Sequence, residues 1–199
     1  MSRLITNAIR STSATADAIT MDGSGNVTFP ANATCSGTAT GFGGGKILQV
    51  LQTVKTDTFS HTSLAANTKT AIVLSQSITP SSSANKIKVT VNVTVGVNSD
   101  NGIFGSLFRD STQICLANSA SNRQRISSHA PVRNADNLGN LNIVFLDEPA
   151  DTNQHTYGVK LSHGAGSAKN VYVNRTDTDQ DFVNIARGVS SITLEEVAA

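Results

Sequence analysis

Between Lys86 and Val97 the chain reads Lys-Ile-Lys-Val-Thr-Val-Asn-Val-Thr-Val-Gly-Val, with an apolar residue at every odd position and a charged, polar or small one at every even position. Only a β-strand has that period, because its successive side chains point to opposite faces. Ile87, Val89, Val91, Val93, Val95 and Val97 then line one face. Lys86, Lys88, Thr90, Asn92 and Thr94 line the other and are expected to face solvent or a neighbouring subunit. On a helix the same residues would scatter around the axis. At roughly 3.3 Å per residue the run spans about 40 Å, long for a strand of a globular domain.

The chain from Lys46 onward repeats this logic. Strand-like runs at 46–56, 69–78, 86–97, 103–109, 112–117, 123–128, 140–147, 155–162, 170–175 and 190–198 alternate with turn signals such as Pro80-Ser-Ser-Ser-Ala-Asn85, Asn98-Ser-Asp-Asn-Gly102 and Asp147-Glu-Pro-Ala-Asp-Thr-Asn153. Short strands at near-regular spacing are the pattern of an all-β sandwich or barrel. No stretch after residue 20 sustains a 3.6-residue period, so little helix is expected.

Residues 1–45 differ. They are rich in Ala, Thr, Ser, Asn and Gly, carry few large apolar side chains and end in Gly41-Phe-Gly-Gly-Gly45. Such a segment cannot offset the backbone entropy of ordering by burying apolar surface, so order there needs a partner surface. Leu4, Ile5, Ala8 and Ile9 have helical spacing behind a possible Ser2 cap, a short helix that reads as an anchoring peptide. The expected division is therefore an attachment segment with a Gly-rich linker over 1–45 and one β-domain over 46–199. A chain of 199 residues suits one cored domain with an appendage.

Charge and motifs exclude several chemistries. The formal net charge is +1, and the nearest thing to a basic patch, Arg123 and Arg125 with Arg133, gives no nucleic-acid footprint. The opening Met-Ser-Arg-Leu-Ile-Thr-Asn-Ala-Ile-Arg lacks the apolar core of a signal peptide, and no run approaches the roughly 18 apolar residues of a membrane span, so neither export nor membrane insertion is expected. Cys35 and Cys115 are too few and too far apart for a disulfide framework, and Cys115, between Ile114 and Leu116, reads as a buried free thiol. Around Gly41–Lys46 a phosphate-binding loop fails twice, with Thr40 where the first glycine belongs and Ile47 in place of the magnesium-binding hydroxyl.

Asp177, Asp179 and Asp181 have the opening spacing of a calcium loop, but Phe182 occupies the glycine place and Gly188 the closing glutamate place. A solvated acidic loop is the plainer reading, with calcium left open. His61, His129, His155 and His163 show no metal-ligand spacing and read as exposed loop or strand-edge residues. Asn26, Asn32, Asn92 and Asn174 match the glycosylation pattern at the frequency expected of an Asn- and Thr-rich chain. Without a Gly-x-Ser-x-Gly elbow or a clear carboxylate pair, no catalytic, cofactor-binding or metal residue is assigned, no cofactor is implied, and the chain is not expected to be an enzyme. Tryptophan is absent, which leaves shallow recognition by Asn, Ser, Thr and main-chain groups on loops.

Several strings carry a resemblance in combination: Lys46-Ile-Leu-Gln-Val-Leu-Gln-Thr53, Ser77-Ile-Thr-Pro-Ser-Ser-Ser-Ala-Asn-Lys-Ile87, Phe108-Arg-Asp-Ser-Thr112, Phe145-Leu-Asp147 with Pro149, Val171-Tyr-Val-Asn-Arg175 and Arg187-Gly-Val-Ser-Ser-Ile-Thr-Leu-Glu195. Together they resemble a domain of tailed phages, particularly marine ones, and Ser13-Ala-Thr-Ala-Asp-Ala-Ile-Thr20 is similar to the stretch that often precedes it. The resemblance implies a virion protein with an antiparallel jelly-roll domain like that of the C1q and tumour-necrosis-factor fold. It further implies a homotrimer attached to other virion proteins through residues 1–45. Two roles are compatible with it, a fibre or tail appendage that binds a host-surface glycan, or a capsid decoration protein. A depolymerase of surface polysaccharide is the enzymatic alternative.

Overall fold

A computed structural model describes residues 8–10, 12, 13, 15–29 and 46–199. The chain divides into two units, Met1–Gly44 and Gly45–Ala199. In the first, β1 (Ala8–Ile9), β2 (Ile19–Met21) and β3 (Val27–Thr28) pair antiparallel in that order. The β2–β3 turn is held by Asp22, whose carboxylate accepts from the backbone N–H groups of Ser24 and Asn26, both at 2.9 Å, while Gly25 takes a φ of +84°. This is the turn chemistry expected of Asp and Gly. The helical spacing at 4–9 does not carry through, since Ala8 and Ile9 are extended and paired with Thr20 and Ile19; Leu4 and Ile5 lie outside the described residues.

The second unit is an all-β sandwich, with no α-helix among the described residues. Its strands are β4 (Ile47–Lys55), β5 (Phe59–Leu64), β6 (Leu74–Ile78), β7 (Lys86–Val97), β8 (Asn101–Arg109), β9 (Thr112–Ile114), β10 (Ser128–Val132), β11 (Gly139–Asp147), β12 (His155–His163), β13 (Lys169–Val173) and β14 (Ser190–Val197). One sheet runs β4-β14-β7-β11, with β13 and β5 continuing beside the far end of β7; the other runs β6-β12-β8-β10, with β9 also on β8. Every pairing in both is antiparallel. Of the eight main strands in chain order, the first, eighth, third and sixth form one sheet and the second, seventh, fourth and fifth the other. That interleaving is a jelly roll.

Strand β7 behaves as its alternation predicts on the inner face, where Ile87, Val89, Val91, Val93, Val95 and Val97 are all buried. They meet Ile103, Leu107, Tyr157, Val159 and Leu161 of the opposite sheet in one core. Its length has a cause: β11 pairs along 87–95 on one side, while β14 takes 86–92 and β13 takes 95–97 on the other. The outer face departs from expectation at its far end, because Thr94 and Gly96 are buried. The segment after β13 lies over them. Thr94 Oγ1 donates to Val189 O at 3.0 Å, and a Cβ at Gly96 would stand 2.4 Å from Arg175 O.

Other boundaries differ from expectation for physical reasons. The strand expected at 123–128 lies instead at 128–132 and contains Pro131, tolerated because β10 is an edge strand with no outer partner among the described residues. Strand β5, with the polar sequence Phe-Ser-His-Thr-Ser-Leu, carries no apolar alternation and is held by pairing with β13. The runs at 69–78 and 112–117 shorten to 74–78 and 112–114, the latter ending where Cys115 turns to a φ of +53°.

Candidate functional site

Strand alternation and register together build the outer face of β4-β14-β7-β11. Cross-strand partners give rows Gln52–Thr193–Thr90–Val144, Val50–Glu195–Lys88–Leu146 and Val54–Ser191–Asn92–Asn142. The two middle strands are polar and are tied across the strands at two points. Lys88 Nζ stands 2.6 Å from Glu195 Oε2, and Gln52 Nε2 donates to Thr193 Oγ1 at 2.8 Å. Both margins carry exposed apolar side chains beside a polar one: Val50 is 57% and Val54 52% exposed on β4, flanking Gln52, and Val144 is 69% and Leu146 49% exposed on β11, beyond Asn142. These are edge strands, each with one side unpaired among the described residues. An apolar margin on two different edges of one sheet is a surface that a neighbour can complete.

The segment between β13 and β14 holds the three aspartates, and two of them are engaged by other side chains. Asp177 accepts a hydrogen bond from the Tyr172 hydroxyl, and burial together with that bond raises the Tyr172 pKa. Asp179 is gripped by Arg187, whose Nε and Nη2 donate at 2.6 and 2.8 Å, with Arg175 Nε at 3.4 Å. Asp181 is exposed. Two of the three carboxylates thus have separate cationic or hydroxyl partners, and among the described residues no group of three His, Cys, Asp or Glu side chains is placed to hold a metal ion. Asn174 is wholly buried, its Nδ2 donating to Lys55 O and Asp57 O and its Oδ1 accepting from Ser190 Oγ, so its glycosylation pattern is sealed in the fold. Asn92 and Asn26 are exposed, and Asn32 lies outside the described residues.

Two histidines correct the expectation of exposure. His163 is fully buried: the Ala165 N–H donates to Nδ1 at 3.2 Å, which leaves the proton on Nε2 to be donated to Leu64 O at 2.9 Å. His155 is also buried, with Nδ1 2.9 Å from Asp110 Oδ2 and Nε2 3.0 Å from Asp151 Oδ1. Burial lowers its pKa, but the two carboxylates outweigh burial and raise it above 6.5. With both ring nitrogens occupied, neither imidazole has a lone pair free to activate a nucleophile. His61 is half-buried on β5 and His129 exposed on β10. Cys115 is half-buried against the core and not fully enclosed; Cys35 and the glycines of 41–45 lie outside the described residues. Arg123, Arg125 and Arg133 are exposed, and Arg125 Nε donates to Ala117 O at 2.6 Å.

Two ionic networks have a signal in strand parity that motif spacing does not reveal. Asp147 falls at the inward parity of β11 after Leu141, Ile143 and Phe145, and Glu196 falls at the inward parity of β14 after Ile192 and Leu194. A carboxylate in an inward register must be met by donors. Asp147 Oδ2 receives Arg109 Nη1 and the Tyr157 hydroxyl, each at 2.6 Å. Glu196 receives Asn85 Nδ2, Ser81 N and Oγ, and Gln49 Nε2, all at 2.7 Å. Burial pushes the Glu196 carboxyl up, and the bonds from Asn85, Ser81 and Gln49 outweigh burial to hold it at about 2.

No family model matches the chain, and no curated protein matches it in sequence. Among solved structures it is similar to the infectious bursal disease virus VP2 subviral particle, at 13% identity and a TM-score of 0.37, over 76% of this chain and 37% of that one. A structure of the Gx strain of the same virus is similar at 15% identity and a TM-score of 0.35, over 76% and 38%. The chain therefore spans little more than a third of the length of the structures it matches.

Proposed function

We propose that this chain is a non-enzymatic structural protein of a tailed-phage virion, a homotrimeric fibre or tail appendage attached through residues 1–45 and presenting the jelly roll of residues 46–199 to the host surface. The observation that carries the trimer is the pair of apolar margins on the β4 and β11 edges. Because the two margins differ, a contact joining β4 of one copy to β11 of the next is heterologous, and such contacts close into a ring of three when each copy is turned by a third of a revolution from the last. The polar, hydrogen-bonded centre of the same face explains why a flat face-to-face dimer is the poorer solution: it would desolvate Lys88, Glu195 and Asn92.

The virion assignment is supported by the sequence strings that run from Lys46 to Glu195, and the non-enzymatic assignment by imidazoles whose nitrogens are all engaged at His155 and His163. Multi-angle light scattering of the purified full chain tests the trimer; a monomer at micromolar concentration overturns it. Cryo-EM of particles carrying a label on this chain tests the position. A few copies at the tail or a vertex support the appendage, whereas copies spread over the capsomers replace it with capsid decoration. Adsorption of the purified chain to host cells tests adhesion.

A further inference from the structure

One recess on the β6-β12-β8-β10 half of the sandwich is assembled from four parts of the chain. The turn after β5 supplies Asn67, β8 supplies Phe104, the β9–β10 connection supplies Asn122, Arg123 and Gln124, and the turn after β12 supplies Gly164. Its volume of about 310 Å³ stands at the lower end of small-ligand sites, which run from roughly 300 to 1,000 Å³. That is room for a single small polar ring.

The frame of this recess is fixed by hydrogen bonds. Gln124 Nε2 donates to Asn67 Oδ1 at 3.1 Å and to His163 O at 2.9 Å, while its Oε1 accepts from Ser162 Oγ at 2.9 Å. Buried His163 then ties the turn at 163–165 to the end of β5. Asn67 holds its place at a φ of +61°, a conformation that asparagine tolerates better than most residues. The half-buried Phe104 ring leans on His129, 5.5 Å between centroids, and borders Gly164, where a Cβ would come within 2.9 Å of the ring.

The groups facing solvent are, by contrast, without protein partners among the described residues. The Arg123 guanidinium has no ion pair and no hydrogen bond among the described residues, nor has the Asn122 amide, and no carboxylate lines the recess. A guanidinium presents a planar fork that matches a carboxylate, amides match vicinal hydroxyls, and an aromatic ring offers a surface for C–H groups. The geometry points to a binding site for a carboxylated saccharide, a hexuronic acid unit of a surface polysaccharide, with its carboxylate on Arg123, its hydroxyls on Asn122 and Asn67, and its C–H face on Phe104. Inorganic phosphate shares the negative charge and lacks the apolar face. This site rests on the adhesion reading above and gives it a ligand class; repeated in a trimer, weak single sites add up through avidity.

Titration of the full chain with D-glucuronate, followed by saturation-transfer NMR, tests it, with D-glucose as a second titrant and inorganic phosphate as a competitor whose binding is read from the glucuronate signal it displaces. The expected result is a dissociation constant on the order of 1 mM for glucuronate, ordinary for so small a ligand in a shallow site, with saturation concentrated on ring C–H protons. Glucose is expected to bind at least about 10-fold more weakly, and Arg123→Ala to lose glucuronate by about the same factor with its melting temperature unchanged. No saturation of glucuronate overturns the site, as does undiminished binding by Arg123→Ala. Phosphate binding as tightly as glucuronate reduces it to an anion site and overturns the saccharide. Host-cell adsorption is scored separately: glucuronate binding without adsorption removes the adhesion reading and leaves the site, while adsorption that Arg123→Ala does not reduce leaves adhesion and overturns this recess as the surface that carries it.

Discussion

The hydroxyl of Tyr157, wholly enclosed in the core, donates to Asp147 Oδ2 at 2.6 Å, and the same oxygen receives Arg109 Nη1 at 2.6 Å. Three strands, β12, β11 and β8, and both sheets are joined through one atom. Tyr157→Phe removes one donor and leaves the ion pair, so it is expected to cost about 1–2 kcal/mol. Asp147→Ala leaves a partly buried guanidinium and a buried phenol without an acceptor and is expected to cost about 3–5 kcal/mol. Urea melts of the two variants check the order; equal losses would mean that Arg109 finds another partner.

Glu196 makes stability depend on acid. Its carboxyl is held at about 2 against an ordinary 4.5, so its contribution is fully present above about 4.5 and disappears as the pH falls towards 2. The difference corresponds to roughly 3–4 kcal/mol. Glu196→Gln keeps the shape and loses the charge, and is expected to melt lower than the wild type at pH 7 by that amount. Thermal melts between pH 7 and pH 2 should converge at the acidic end; a constant gap would assign the loss to packing.

His155 has the opposite sign. Its pKa is raised above 6.5 by Asp110 and Asp151, so the pairing stabilises fully below about 6.5 and is lost as the pH rises through the higher folded value. His155→Gln is expected to flatten the decline in melting temperature between pH 6 and pH 9. A decline of equal slope in the variant would place the titrating group elsewhere.

Strand β7 separates what the sequence could say from what it could not. Parity alone assigns Ile87 to Val97 to the core, and all six apolar residues are buried. Parity also places Thr94 outside, and there it fails, because the burial of Thr94 comes from Val189 and Ser190, almost a hundred residues along the chain. Strand β5 is illegible for the same reason, since its order depends on β13 and not on its own alternation. The apolar margins are visible as residue types at Val50 and Val144, but only register places them on opposite edges of one face. The recess at Phe104 draws on Asn67 and Gly164, which no local pattern links.

Three substitutions on β7 test that division. Val91→Asp buries an unpaired carboxylate and is expected to cost more than about 4 kcal/mol, enough to unfold most of the domain. Thr94→Asp is expected to cost about 2–3 kcal/mol, because its hydroxyl lies beneath the segment that precedes β14. Thr90→Asp, half-buried on the outer face, is expected to change stability by less than about 1 kcal/mol. If thermal melts put Thr90→Asp level with Val91→Asp, the strand is enclosed on both faces.

The trimer reading makes a prediction that folding alone does not. A heterologous ring uses the β4 margin of one copy and the β11 margin of the next, so charge on either margin breaks every contact in the ring. Val50→Lys and Val144→Lys, each at an exposed side chain, are therefore expected to give folded monomers by light scattering that melt below the assembled wild type, at the temperature to which the wild type falls when diluted until it dissociates. Mixing a Val50→Lys chain with a Val144→Glu chain supplies opposite charges across one contact and is expected to restore mixed assemblies in part, at low salt more than at high. If both variants stay trimeric, the margins are free surface and the copies meet elsewhere.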